Sequence, residues 1–264
     1  MQFSESNALV ASARLPDGKA SQSALWAKAT KTGTFYQQHL WLPLTAFAAL
    51  SVMLMGLGAD QWLADRIYVA GGHAWTLQSN PLVEGIIHEG GRQASKWAWI
   101  AVAVCLLLAL ASRTFASWRM PLTYLLLSTL LATLLVAVLK RGTHMDCPWD
   151  LLRYGGEKVY YGLFSRRLAG MGSADCFPAG HASAGYAWVA LYFFFLATRP
   201  RWRWWGLGAA MVLGMVFGIA QQLRGAHFLS HDLWTLMLCW LVALSLHRVM
   251  LVPRMRDVCK EAVA

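Results

Sequence analysis

Charge is scarce in this chain. Of 264 residues only 14% are Asp, Glu, Lys or Arg, and 13 are acidic, too few for the exterior of one or two ordinary water-soluble domains. Five cysteines in a chain of this length do not make a disulfide scaffold. Repeats, heptads and low-complexity tracts are absent, which excludes a solenoid or a coiled coil. The first 38 residues hold no early apolar run and are rich in Ala, Ser, Lys and Thr, so they read as a loosely ordered tail rather than a cleaved signal peptide.

Apolar residues make up 57% of the chain, mean hydropathy is +0.42 and there are 14 tryptophans, the composition of a membrane protein. The formal charge of +10 would suggest nucleic acid in a soluble protein. Here Lys and Arg lie between apolar runs, where they set orientation, and nucleic-acid binding is excluded. Six stretches are long enough to approach the roughly 20 residues a bilayer requires: Leu40 to Gly58, Trp97 to Ser112, Leu122 to Leu139, Ala182 to Ala197, Trp204 to Ala220 and Leu233 to Val252. Pro43 and Pro121 fall in first turns, where a missing N–H costs little. The expected fold is all-α and polytopic: a tail over 1–38, a six-helix membrane domain over 39–252 and a second tail over 253–264.

Six spans place both termini on one side, with the larger share of Lys and Arg. The cluster Arg199, Arg201 and Arg203, interleaved with Trp202, Trp204 and Trp205, anchors that interface. The positive-inside rule then makes the termini cytoplasmic. Loops 60–96, 140–181 and 221–232 face outward together.

Three outward segments concentrate groups able to hold or transfer phosphate: Lys140, Arg141, His144 and Cys147-Pro148; Cys176 with Pro178-Ala179-Gly180-His181; and Arg224, His227, His231 and Asp232. Cations offset the charge of a phosphorylated head group, and an imidazole can attack phosphorus.

In these segments the chain resembles the type 2 phosphatidic acid phosphatase (PAP2) superfamily, whose membrane members have six helices and an outward-facing site. The family pattern is Lys-x6-Arg-Pro, then Pro-Ser-Gly-His, then Ser-Arg-x5-His-x3-Asp. Lys140 with Pro148 matches the first motif, Pro178-Ala179-Gly180-His181 the second and the run around His227 the core of the third. There are four departures: Cys147 and Gln221 stand at the arginine positions, Ala179 at the serine and His231 at the aspartate, with Asp232 one residue beyond.

The resemblance implies that His227 attacks phosphorus to form a phosphohistidine. His181 protonates the departing oxygen and later activates water. His231, favoured by spacing, or Asp232, favoured by charge, fixes the tautomer of His227. Lys140, Arg141 and Arg224 hold the non-bridging oxygens. Gly180, with the first turn of the fourth span, adds amide donors that compensate for Ala179. No metal or cofactor is required. The implied substrate is a phosphorylated lipid at the outer leaflet of a bacterial inner membrane: undecaprenyl diphosphate, phosphatidylglycerol phosphate, phosphatidic acid or the 1-phosphate of lipid A. A lipid-to-lipid phosphotransferase would use the same residues, and a non-catalytic lipid-binding or transport derivative is the reading from another class.

Blander readings stand beside these. A terminal Lys140 snorkels, and His181 can cap a helix. The His227 and His231 pair at i, i+4 suits two metal ligands. His144 and Arg153 read equally as ordinary loop residues or as substrate contacts, and His88, Glu89 and Arg92 could touch a head group but read better as a solvated surface helix. Cys105, Cys239 and Cys259 are expected to stay reduced. Cys147 and Cys176 share one outward loop in an oxidising compartment and are expected to pair, with two unlinked thiols as the alternative.

Overall fold

A computed structural model of the chain describes residues 32–81, 89–143, 145–163, 165 and 175–253. The two tail segments 1–31 and 254–264, with Cys259, and also His88 and His144, lie outside the described residues. Among those described, every extended element is helical, and the β pairing is an isolated bridge between Leu151 and Lys158.

In chain order the helices are α1 (Gly33–Gly56), α2 (Ala59–Ala70), α3 (Gly91–Ala111), α4 (Arg119–Thr143), α5 (Ser183–Tyr186), α6 (Ala190–Thr198), α7 (Arg203–Leu223) and α8 (Leu229–Leu246). Helix already begins at Thr32–Tyr36, inside the segment expected to be a loose tail. α1 is not uniform. A π turn over Gln37–Trp41 precedes Leu42–Ser51, where Pro43 brings no N–H to the widened register.

Among the described residues, five helices are long and apolar enough to cross a membrane: α1, α3, α4, α7 and α8, with the residues that continue them. The fourth expected stretch is not among these five. It forms a shorter run, α5 and α6 joined by a 3-10 turn over Ala187–Val189. Its side chains from Tyr186 to Phe194 are nearly all buried, with Val189 and Phe193 fully enclosed. An apolar helix surrounded by others has no polar face to show, which is why its sequence reads like a span.

α7 explains how the centre closes. Gly206, Ala210, Gly214 and Gly218 recur every fourth residue and all are buried, forming a stripe without bulk along one face. A side chain at Gly214 would collide with the Tyr186 ring, and one at Gly185 with the Gly214 backbone. α5 and α7 therefore touch backbone to backbone. Tyr124 of α4 donates from its hydroxyl to the Ala243 carbonyl of α8 at 3.0 Å, tying the two helices inside the core. The outside is the reverse of a soluble protein: Leu107, Leu108, Leu134, Val138 and Val216 are exposed, a band that suits hydrocarbon. At the start of α7, Trp202, Trp204 and Trp205 are exposed, with the Arg203 guanidinium 5.5 Å from the Trp204 ring centre, an interfacial anchor.

Candidate active site

The C-terminus of α4, the loop before α5 and the connection from α7 to α8 meet at one end of the bundle. Each is held by specific bonds. Thr143 donates from its hydroxyl to the Phe177 carbonyl. The Cys176 N–H donates to Met145 O at 3.1 Å, and the Cys147–Cys176 disulfide spans a Cα separation of 5.3 Å. Ala179 is enclosed; its N–H donates to His231 O at 3.2 Å, and the Thr235 hydroxyl donates to its carbonyl at 3.1 Å. The loop carrying His181 is thereby bonded to the helix carrying His231. Gly225, at φ +76°, makes the turn between α7 and α8, and the Trp75 ring occupies the space a side chain would need.

The histidines converge. His181 and His227 have ring centres 6.4 Å apart, and Nδ1 of His227 lies 3.3 Å from Nδ1 of His231. His227 and His231 are buried. Lys140 lies over Gly180, where a Cβ would stand 3.6 Å from the Lys140 Nζ. Burial is the main cause holding His227 well below its ordinary value, and His231, Lys140 and His181 add to it. The ring is neutral at pH 7, as a nucleophile requires.

Other expected residues have surroundings of their own. Asp232 accepts from Gln222 Nε2 at 2.6 Å and packs where Gly218 has no side chain, so the residue beside the His227 ring is His231. Arg224 donates from Nε and Nη2 to the Gln78 carbonyl at 3.1 and 2.9 Å, anchoring the 71–80 loop. Arg141 is exposed. Arg153 makes a two-pronged pair with Asp65 at 2.7 and 2.6 Å, a bond between α2 and the loop. Cys239 is a buried free thiol and Cys105 an exposed one. Among the described residues, no group of three or more His, Cys, Asp or Glu side chains is placed to hold a metal.

Two contributors lie outside the motifs. Asp60 of α2 is buried and accepts the Ser230 N–H at 2.9 Å, capping α8 from 170 positions away. Burial raises its pKa, opposed by that hydrogen bond. No local signal announces a cap contributed by another helix. Arg92, expected on a solvated surface, lines a cleft of about 280 Å³ together with Gly180, His181 and Gln221.

A helical scaffold able to cross a membrane thus brings three imidazoles and an ammonium to one end, an arrangement able to hold and attack an anion. The chain belongs to the PAP2 superfamily, whose profile matches residues 121–254. Membership supports phosphatase-type phosphoryl transfer. The match begins in α4, takes in all three motif segments and leaves α1, α2 and α3 outside. No curated protein and no solved structure matches the chain.

The disulfide carries a stability prediction. Closing a loop of 29 residues is worth about 3–4 kcal/mol on chain-entropy grounds. Cys147→Ser with Cys176→Ser should lower Tm by about 10 °C. Thermal melts in detergent check this, and an unchanged Tm would show that the bond does not restrain the loop.

Proposed function

We propose that the protein is an integral membrane lipid phosphatase working through a phosphohistidine. The observation that carries this reading is the 6.4 Å separation of the His181 and His227 rings beside Lys140. That spacing admits a phosphorus atom between them at near-attack distances of about 3–3.5 Å.

His227 Nε2 attacks phosphorus while its Nδ1 bonds to His231. The P–N bond forms as the ester P–O bond breaks, and His181 passes a proton to the leaving oxygen. His181 then takes a proton from water, whose oxygen displaces His227 and releases inorganic phosphate. Lys140 balances the charge on the non-bridging oxygens. His231 serves as acceptor for His227 Nδ1–H where the family places a carboxylate. Asp232 and Gln222 keep α7 and α8 in register, and Arg224 organises the loop above.

In this reading Ser183–Thr198 completes six crossings. Both termini are cytoplasmic, and the site opens on the periplasmic face of a bacterial inner membrane. The substrate class is a lipid phosphate or diphosphate: undecaprenyl diphosphate, phosphatidylglycerol phosphate, phosphatidic acid or the 1-phosphate of lipid A.

Purified protein in detergent, offered these four lipids in the presence of EDTA, should release inorganic phosphate from at least one. Binding without release from any of them would instead establish a non-catalytic lipid-binding protein. Phosphate recovered on an acceptor lipid would establish a transferase.

A further inference from the structure

The family pattern puts arginines where this chain has Cys147, locked in a disulfide, and Gln221. Neither can grip phosphate as a guanidinium does. We propose that Arg92, from a helix outside the matched family region, supplies that grip, binding the non-bridging oxygens of the phosphate under attack. This rests on the phosphatase reading for its reaction, though not for the binding itself.

Four observations place Arg92. It borders the same cleft as Gly180, His181 and Gln221, and its guanidinium brings a permanent positive charge to that lining beside the titratable His181. Three positions further along α3, on the same helical face, Ser95 donates to the Ala184 carbonyl at 2.9 Å and accepts from Trp188 Nε1 at 2.9 Å. Those two bonds fasten α3 to the helix that begins just after His181. Immediately before Arg92, Gly91 rests against the Phe217 ring of α7 so closely that any side chain there would collide with it. The first turn of α3 is thus pinned to both neighbours of the site, with the Arg92 side chain at the rim.

The guanidinium is also able to reorient. Its side chain is 63% exposed, and its pair with Glu89 is long, 3.9 Å, between two exposed groups. Such a contact is worth little, so an arriving phosphate, which accepts two parallel N–H bonds, displaces it. Gln221, buried in the same wall, leaves room for this where an arginine would repel Arg92.

The test uses the full chain in detergent, with Arg92→Gln, Arg92→Lys and, as a control of equal charge change at the far end of α3, the exposed Arg113→Gln. Two readouts are taken: kcat and KM for release from short-chain phosphatidic acid, and equilibrium binding of orthovanadate followed by tryptophan fluorescence. Arg92→Gln should lower kcat/KM by about 10²-fold, as loss of one transition-state donor typically does, and weaken vanadate binding by at least about tenfold. Arg92→Lys should recover part of the charge effect but not the two-pronged bond. Arg113→Gln should match the unsubstituted protein. Equal vanadate affinity in Arg92→Gln and the unsubstituted protein overturns the proposal. If no lipid is turned over but vanadate binding still depends on Arg92, the phosphatase reading fails and the anion site stands. If turnover persists undiminished in Arg92→Gln, the outcome is reversed.

Discussion

His227→Ala should abolish phosphate release, with a loss of about four to six orders of magnitude, the range seen when a covalent nucleophile is removed. Among the described residues neither neighbouring imidazole is placed to substitute. His231 is fully buried behind His227 and offers Nδ1 to it, and His181 sits across the gap where phosphorus would lie. Acid-labile, base-stable labelling from a ³²P-lipid should appear in the unsubstituted protein and vanish in the variant. Labelling that survives the substitution would place the nucleophile elsewhere. The pH dependence has a definite sign. Because burial and nearby positive groups hold the folded-state pKa of His227 below its ordinary 6.5, the folded ring stays neutral below that pH while an unfolded one gains a proton. Its stabilising contribution is present above pH 6.5 and is lost as pH falls toward the depressed value. Thermal melts from pH 7 to pH 5 should therefore decline, and the acid limb of kcat set by the nucleophile should lie below 6.5.

His181→Ala should cost about 10²–10⁴-fold with a lipid substrate, the usual worth of a general acid. The loss should depend on the leaving group. An alkoxide needs its proton and a nitrophenolate does not, so the same variant should retain much of its activity toward p-nitrophenyl phosphate. A structural defect would depress both substrates alike. The ratio between them therefore separates a proton donor from a residue that merely packs: equal losses remove His181 from the acid role. His181 borders the cleft while His227 is buried, the arrangement expected if one ring exchanges protons with water and the other does not.

Much of the site could be read from residue order. Lys140, His181 and His227 stand out in the sequence through the resemblance of their segments to the PAP2 motifs, and the structure brings those segments together at one end of the bundle. The choice between His231 and Asp232 was not legible, because adjacent residues on a helix point about 100° apart and only the surroundings select one. Those surroundings are Gly218 and Gln222 of α7, which receive the carboxylate and leave the imidazole to His227. The small-residue stripe of α7 was present in the sequence as a four-residue period, and it is what lets α5 approach closely enough to carry His181 inward.

Arg92, Arg224 and Asp60 mark the limit. A cation near a helix end looks the same whether it faces water or a cleft, and a carboxylate that caps a helix 170 residues away leaves no local pattern. Hydropathy by itself determined that this chain is helical and suited to a membrane, and the resemblance of its motifs pointed to phosphoryl transfer, because those properties are written in residue type and interval. Tertiary structure alone decided which charges reach the cleft and which are used to hold loops, because that depends on the directions in which side chains leave helices whose packing no short stretch of sequence encodes.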